Sequence, residues 1–370
     1  MRIVQLANFH SPTSGGLRVA VDTLRAGYFD AGHECTLVAP GRVDEVDGTV
    51  RRVRAPRLPN RSGYRVILRR RAVLALLDEL RPHVVEVHDK LLQQWVWTWS
   101  RARRVPVIAV SHERLAHSLP LLMPFAPDGA VRSATAAVAR LTALHCDVLV
   151  TCSRFAAAEF ASAAPDRRLR VVPLGVDLDA FRPAGRESTG RQLRLVTVGR
   201  LSPEKRPDLA LETLRILRAD AELTLAGTGP MREALTQQAR GLPVRFAGHL
   251  AGRIAVAASL AAADIALAPG PAETFGLAAL EAMACGTPIV TVEGAAPSEL
   301  IEAHPAAGRT APPEPAAFAR AVREIAAVAA PTRSAAARRC AESFPWSATV
   351  AAMLDLHAEF APRITASAAG

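Results

Sequence analysis

The sequence is almost without lysine: Lys90 and Lys205 stand against 43 arginines in 370 residues. An arginine-favouring proteome accounts for the bias, so both lysines are candidates for work that needs a compact ammonium group. Cysteine is sparse too. Cys35, Cys146, Cys152, Cys285 and Cys340 lie far apart with no C-x-x-C, which suggests neither a zinc site nor a secreted disulfide framework and fits a reduced, cytoplasmic setting. The opening MRIVQLANF enters a strand-like run without the apolar core of a signal peptide, and no uncharged apolar stretch is long enough to cross a bilayer. Zinc-finger, RNP and helix-turn-helix patterns are absent, so nucleic-acid binding has net charge in its favour and little else.

What is present reads as a folded globular chain. Half of the residues are apolar and 22% are charged, and at roughly 100–200 residues per domain the length gives two domains. The formal net charge is +10, but residues 1–178 carry 25 Arg/Lys against 16 Asp/Glu, leaving 20 against 19 for the remainder. Nine arginines crowd the stretch from Arg51 to Arg71, a density suited to anionic lipid, phosphorylated substrates or nucleic acid, or simply to a solvated face. Arg65, Arg69, Arg70 and Arg71 surround Val66, Ile67 and Leu68 at the start of an expected amphipathic helix over 64–80, a pattern for an anionic membrane surface.

Short apolar runs alternate with helical periods through the first 172 residues, and the alternation starts afresh at Arg194. Strand-helix alternation implies parallel sheets, hence two Rossmann-like halves. The stretch Pro173 to Gly185 reads as the linker between domains 1–178 and 179–346. After the run Pro312-Pro313-Glu314-Pro315, two helices are expected to finish the chain. Ligands of open α/β sheets bind beyond the C-terminal strand ends, so the expected site is a cleft where two such edges face each other.

Three strings carry chemistry. Ser14-Gly15-Gly16-Leu17 sits between the first strand and first helix, where backbone amides can approach an anion, although an ordinary tight turn looks the same. Gly199-Arg200-Leu-Ser-Pro-Glu-Lys205 places two cations at a strand end, either to hold a departing diphosphate or as solvated loop charges. Glu273-Thr-Phe-Gly-Leu-Ala-Ala-Leu-Glu281 opens a helix whose first amides, at Phe275, Gly276 and Leu277, can face a diphosphate or sugar hydroxyls. Glu273 and Glu281 are acceptor-only carboxylates suited to sugar and ribose hydroxyls, or else a cap and a surface residue. That helix is expected to stop at Cys285-Gly286-Thr-Pro288.

Together these strings make a resemblance. With Gly32-His33, Pro173-Leu-Gly-Val-Asp177, Phe181 and Pro183, Gly227-Thr-Gly-Pro230 and Ala282-Met-Ala-Cys-Gly-Thr-Pro288, the chain resembles the retaining glycosyltransferases of family 4 over nearly its whole length. The resemblance implies the GT-B fold, with an N-terminal acceptor domain, a C-terminal nucleotide-sugar domain, and a last helix at about 347–362, after Phe344-Pro-Trp346, crossing back to the N-terminal domain. It implies that Gly15 and Gly16 approach the donor, and that Gly199, Arg200 and Lys205 hold its diphosphate. Glu273 and the backbone of Phe275, Gly276 and Leu277 would take the transferred sugar, Glu281 the ribose, and Leu250 the base through its backbone. His112, within Ser111-His112-Glu113-Arg114, would contact the transferred sugar. Asp89, Lys90 and Arg114 are assigned to the acceptor.

The resemblance also implies retention of anomeric configuration, by acceptor attack on the face the leaving group departs from, with no metal and no further cofactor. His88-Asp89-Lys90 and Ser-His-Glu-Arg114 look most like actinobacterial mannosyltransferases acting on glycolipids, so the donor expected is GDP-mannose. A UDP-glucose or UDP-N-acetylglucosamine enzyme, a GT-B epimerase, and a membrane-binding protein with a decayed site remain as alternatives. The expected location is cytoplasmic, with docking at the inner membrane face through the arginine stretch. Asp177-Leu-Asp179 spells D-x-D, a metal-sugar motif elsewhere, but it falls in the linker. At Gly294-Ala-Ala-Pro297, family members carry adjacent glycines that this chain lacks. Trp95, Trp97 and Trp99 spread around a helix, so at least one packs inward.

Overall fold

Strand β1 (Arg2–Leu6) is followed by α1 (Gly16–Asp30), β2 (Glu34–Gly41), β3 (Glu45–Asp47), β4 (Val50–Arg54), α2 (Arg70–Leu80), β5 (Val84–Val87), α3 (Leu92–Arg103), β6 (Val107–Ser111), α4 (Asp128–Leu144), β7 (Val148–Thr151), α5 (Arg154–Ala157) and β8 (Leu169–Val171). The computed structural model describes residues 1–11, 15–58, 64–90, 92–116, 126–164, 168–184 and 192–360. These strands form one sheet in the order β3-β4-β2-β1-β5-β6-β7-β8. All its pairings are parallel except the edge pair β3–β4.

A second series runs β9 (Leu193–Val198), α6 (Pro207–Leu217), β10 (Ala221–Ala226), α7 (Arg232–Gln238), β11 (Val244–Gly248), α8 (Gly252–Ala261), β12 (Ile265–Ala268), α9 (Leu277–Ala284), β13 (Ile289–Val292), α10 (Ala296–Ile301) and β14 (Gly308–Ala311). Helices α11 (Pro315–Ala326), α12 (Ala330–Glu342) and α13 (Trp346–Phe360) follow, one more than the sequence reading expected. This sheet is wholly parallel, in the order β11-β10-β9-β12-β13-β14. Because both of its faces are covered, its strands read as apolar runs such as Ile265–Ala268. Leu195, Leu223, Leu209, Leu214 and Phe318 fill one face.

The chain divides into two units, Met1–Leu174 with the segment from Ser347, and Gly175–Trp346. The break falls at Leu174, before the boundary at 178 read from the sequence. Helix α13 belongs with the first unit because Met353 and Leu356 bury against Ile3, Tyr28, Val84 and Ile108. Thr349 donates to the Pro173 carbonyl at 2.9 Å.

The arginine stretch differs most from its sequence reading. Arg51, Arg52 and Arg54 lie on β4, where Glu45 of β3 stands opposite Arg52. Residues 64–69 are not helical; α2 starts at Arg70. The Val66 amide bonds to the Pro56 carbonyl at 3.2 Å, and the Ile67 amide donates to Asn8 Oδ1 at 2.7 Å. Val66 and Ile67 are buried, leaving only Leu68 exposed. Burying an isoleucine contributes about 1.5–3 kcal/mol, so core packing outweighs the local amphipathic pattern. Trp99 is buried, its indole donating to Asp78 at 2.8 Å, and Trp95 packs half-buried against the same core.

Candidate active site

Each sheet reverses its strand order once, at β1/β5 in the first unit and β9/β12 in the second, and such a switch point opens a crevice beyond the C-terminal strand ends. In the second unit Gly199, Arg200, Lys205, Glu273 and Gly276 line one pocket there. The β9 loop is held by backbone: Gly199 N–H bonds the Ala226 carbonyl and Leu201 N–H the Thr228 carbonyl, both at 2.9 Å. A side chain at Gly227 would put Cβ 1.8 Å from the Gly199 carbonyl oxygen, so that position requires glycine. Lys205 ends a short 3-10 turn, Pro203–Lys205, and Pro207 then opens α6. Its ammonium pairs with Glu273, which comes from the loop after β12. Both side chains keep partial solvent access.

Gly276 caps α9 at φ +91, and a Cβ there would meet Pro297 Cγ at 2.6 Å. Proline in the Gly294–Pro297 segment thus seats the glycine that lets α9 begin at the pocket. Phe275 is buried edge-on against Phe344 at 6.3 Å. The first amides of α9 have no acceptor within the helix, so its end can receive an anion or hydroxyl oxygen. The helix stops where glycine and proline predicted, with Gly286 N–H on the Met283 carbonyl at 2.9 Å.

Glu281 and Leu250 are not part of this pocket lining. Glu281 lies one turn into α9, where burial pushes its carboxyl up to about 7 while Arg253 draws it down. Arg253 is itself paired with Asp177 Oδ2 at 3.0 Å. Asp177 Oδ1 accepts the Asp179 and Ala180 amides at 3.2 and 2.9 Å, so the D-x-D aspartate is a turn cap and ion-pair partner. Leu250 lies between β11 and α8. Among the described residues, no three His, Cys, Asp or Glu side chains are grouped to hold a metal ion.

In the first unit, Gly15 caps α1 and both Gly15 and Gly16 are exposed; Ser14 lies outside the described residues. His112 follows β6 and its Nε2 is 2.8 Å from Nδ1 of His88, which follows β5. Burial, reinforced by His88 and Lys90, pushes the His112 imidazole down to about 3, so it is neutral. Asp89 accepts the Asn8 amide at 3.0 Å, and Asn8 in turn takes the Ile67 amide, so Asp89 pins the chain around the β1 end. Lys90 donates to the Glu113 carbonyl at 2.8 Å and lies 3.8 Å from Glu159, and burial lowers its pKa. Arg114 stacks 4.3 Å over the Phe155 ring.

Residues 192–327 match the family described as Glycosyl transferases group 1, and residues 14–180 match Glycosyltransferase Family 4. Over 369 residues the chain is 43% identical to the GDP-mannose-dependent alpha-(1-6)-phosphatidylinositol dimannoside mannosyltransferase of Mycobacterium tuberculosis, covering 96% of this chain and 95% of that one. The chain belongs to glycosyltransferase family 4. Its fold is similar to sucrose-phosphate synthase from Thermosynechococcus elongatus (TM-score 0.80, 20% identity, covering 97% and 98% of the two chains). It is similar also to Anabaena HepE in complex with UDP (TM-score 0.77, 16% identity, 97% and 100%). The two parallel-sheet units are those of the GT-B class.

Three residues of this glycosyltransferase escaped the sequence reading: Glu86, Glu159 and His357. Glu86 is the legible one, since a carboxylate inside the buried run Val84-Val85-Glu86-Val87 demands partners. Glu159 has a side chain only 2% exposed beside Lys90, and burial pushes its carboxyl up. His357 reaches Glu86 from α13, 271 residues away in sequence.

Proposed function

We propose that this glycosyltransferase is a retaining, metal-independent mannosyltransferase that uses GDP-mannose and glycosylates a mannosylated phosphatidylinositol at a cytoplasmic, anionic membrane surface. The observation that carries the reading is the 43% identity to an enzyme of that printed activity over nearly the full length of both chains.

The site geometry suits the chemistry. Breaking the bond from sugar C1 to the diphosphate leaves negative charge on GDP and positive charge at C1, so fixed cations and amide dipoles at the leaving group do most of the catalysis. Arg200, Lys205, the Gly199 turn and the amide end of α9 at Phe275, Gly276 and Leu277 are assigned to that charge, with Gly15 and Gly16 on the donor as well. Glu273 accepts hydroxyl hydrogens of the sugar, His112 contacts it, and Glu281 takes the ribose, with Leu250 at the base. The Lys205–Glu273 pair is partly solvated, with side chains 37% and 24% exposed. Such pairs contribute about 0–1 kcal/mol, so this one orients both groups without resisting a donor that separates them. Lys90 and Arg114 are assigned to the acceptor, with Asp89 holding their loop. As the acceptor hydroxyl oxygen bonds C1 on the departing face, its proton passes to a phosphate oxygen, so no side-chain nucleophile is required.

The test is an NMR transfer assay with GDP-, UDP- and ADP-sugars, with and without EDTA, reading the anomeric configuration of the product. Consumption of GDP-mannose to an α-linked product, unaffected by EDTA, is expected. Lys205→Ala and Glu273→Ala should each lose about 10²–10³-fold in kcat while melting like the wild type. Turnover with UDP-sugars only, loss in EDTA, or a β product overturns the reading.

A further inference from the structure

The Glu86 side chain is wholly buried, and four donors from separate parts of the first unit meet its carboxylate. Tyr28 OH and His357 Nε2 lie 2.6 and 2.8 Å from Oε1; Gln5 Nε2 and His88 Nε2 lie 2.9 and 3.2 Å from Oε2. Burial pushes its pKa up, but the hydrogen bonds from His357 and His88 outweigh that and hold it well below the usual range. An ionised carboxylate only accepts, so the His88 nitrogen facing it carries the hydrogen. The other His88 nitrogen, Nδ1, makes the 2.8 Å contact to His112 Nε2. The ring centres are 5.1 Å apart with planes 20° from parallel. That separation is as large as the N···N contact allows, so both nitrogens lie on the line between the rings, the alignment a directional hydrogen bond needs.

We propose that Glu86 and His88 are positioning residues that fix the tautomer of His112: His88 keeps its one hydrogen toward Glu86, His112 keeps its own on Nε2 toward His88, and Nδ1 is thereby the acceptor atom of the His112 ring. The assignment of His112 to the sugar rests on the proposed function; the relay itself does not. A fixed ring orientation matters because an imidazole free to exchange tautomers can present either a donor or an acceptor. His357 extends the relay to α13, so the returning helix and His88, which holds His112, share one carboxylate.

The test uses the full chain labelled with ¹⁵N-histidine, without any donor, and long-range ¹H–¹⁵N spectra at neutral pH. His112→Gln identifies the His112 signals by their loss. The expected wild-type pattern is a protonated Nε2 and an unprotonated Nδ1 on His112. Glu86→Gln should invert it: the new amide nitrogen can donate to His88 Nε2 and to Gln5 Oε1, which has no hydrogen-bond partner among the described residues, so the single hydrogen of each ring moves to Nδ1. The same variant should lower kcat about tenfold to a hundredfold. A wild-type His112 with its hydrogen on Nδ1, or a Glu86→Gln protein with an unchanged His112 pattern, overturns the proposal, and the wild-type spectrum decides even if the variant does not fold. The expected spectra in a protein that does not transfer mannose would support the relay while removing the donor assignment.

Discussion

The two units treat a carboxylate withdrawn from water, wholly in one case and largely in the other, in opposite ways. In the first, Glu86 is surrounded by four donors and held well below its usual range; in the second, the Glu281 carboxylate takes no hydrogen bond among the described residues and is pushed up to about 7. Burial acts in the same direction on both, so the difference lies in the donors. A carboxylate satisfied by its own protein is part of the architecture. One left without such donors, as Glu281 is, fits the ribose role proposed for it, in which a ligand brings the hydroxyls.

The sharpest way to break this contrast is to remove Glu86. Glu86→Ala leaves Gln5, Tyr28, His88 and His357 with hydrogens aimed at nothing, a loss on the order of 3–5 kcal/mol, read as a shift in urea midpoint at constant slope. Its folded pKa is depressed, so its contribution is present above the unfolded value near 4.5 and lost as pH falls through the folded one. The variant should therefore lose most stability at neutral pH and differ least in acid. A loss below about 1 kcal/mol would show that the donors find other acceptors and that the network is incidental.

Glu281 should give the reverse slope. Its folded pKa is raised, so folding favours its protonated form and stability from this group falls as pH rises from 4.5 toward about 7. With the ribose on Glu281 as proposed, the ionised form accepts its hydroxyls more strongly than the neutral one, so donor affinity should climb over the same interval. Glu281→Gln should remove both slopes and weaken donor binding about tenfold above pH 7. Calorimetric titration with GDP-mannose from pH 5.5 to 8.5 checks it; an affinity flat across that range in the wild type would remove Glu281 from the donor.

How far the sequence showed this follows the range of the interactions. Strands such as Ile265–Ala268, the helix opening at Gly276 and its stop at Gly286 were legible because each depends on a few adjacent residues. The pocket at β9/β12 was legible as motif positions: the Lys205–Glu273 pair spans 68 residues, and only the resemblance joined its ends. Glu86 was legible as a carboxylate in need of partners, but which ones was not, because they come from residues 5, 28, 88 and 357 and no window of sequence contains them all. Val66 and Ile67 were misread for the same reason, since Asn8, 59 residues before Ile67, decides where that segment lies.

That misreading changes what the first unit can offer a membrane. With Val66 and Ile67 in the core, the exposed arginines and large apolar residues of that stretch, among the described residues, are Arg54, Arg57, Arg69, Arg70, Arg71 and Leu68, and Arg69 is already paired with Asp44. The membrane attachment proposed above would then depend on charge far more than on insertion, at about 1 kcal/mol per arginine near an anionic leaflet. The second unit, with its balanced charges, contributes no such term. Sedimentation with phosphatidylglycerol vesicles should show binding that weakens steeply with salt, as screening shortens to about 3 Å at 1 M, and none to phosphatidylcholine. Arg70→Ala with Arg71→Ala should weaken it roughly 10–30-fold without moving the melting temperature, whereas Ile67→Ala should lower the melting temperature and leave vesicle binding alone. Equal binding to both lipids, or loss of binding in Ile67→Ala at a temperature where it is folded, would return Ile67 to the membrane face and overturn the burial argument.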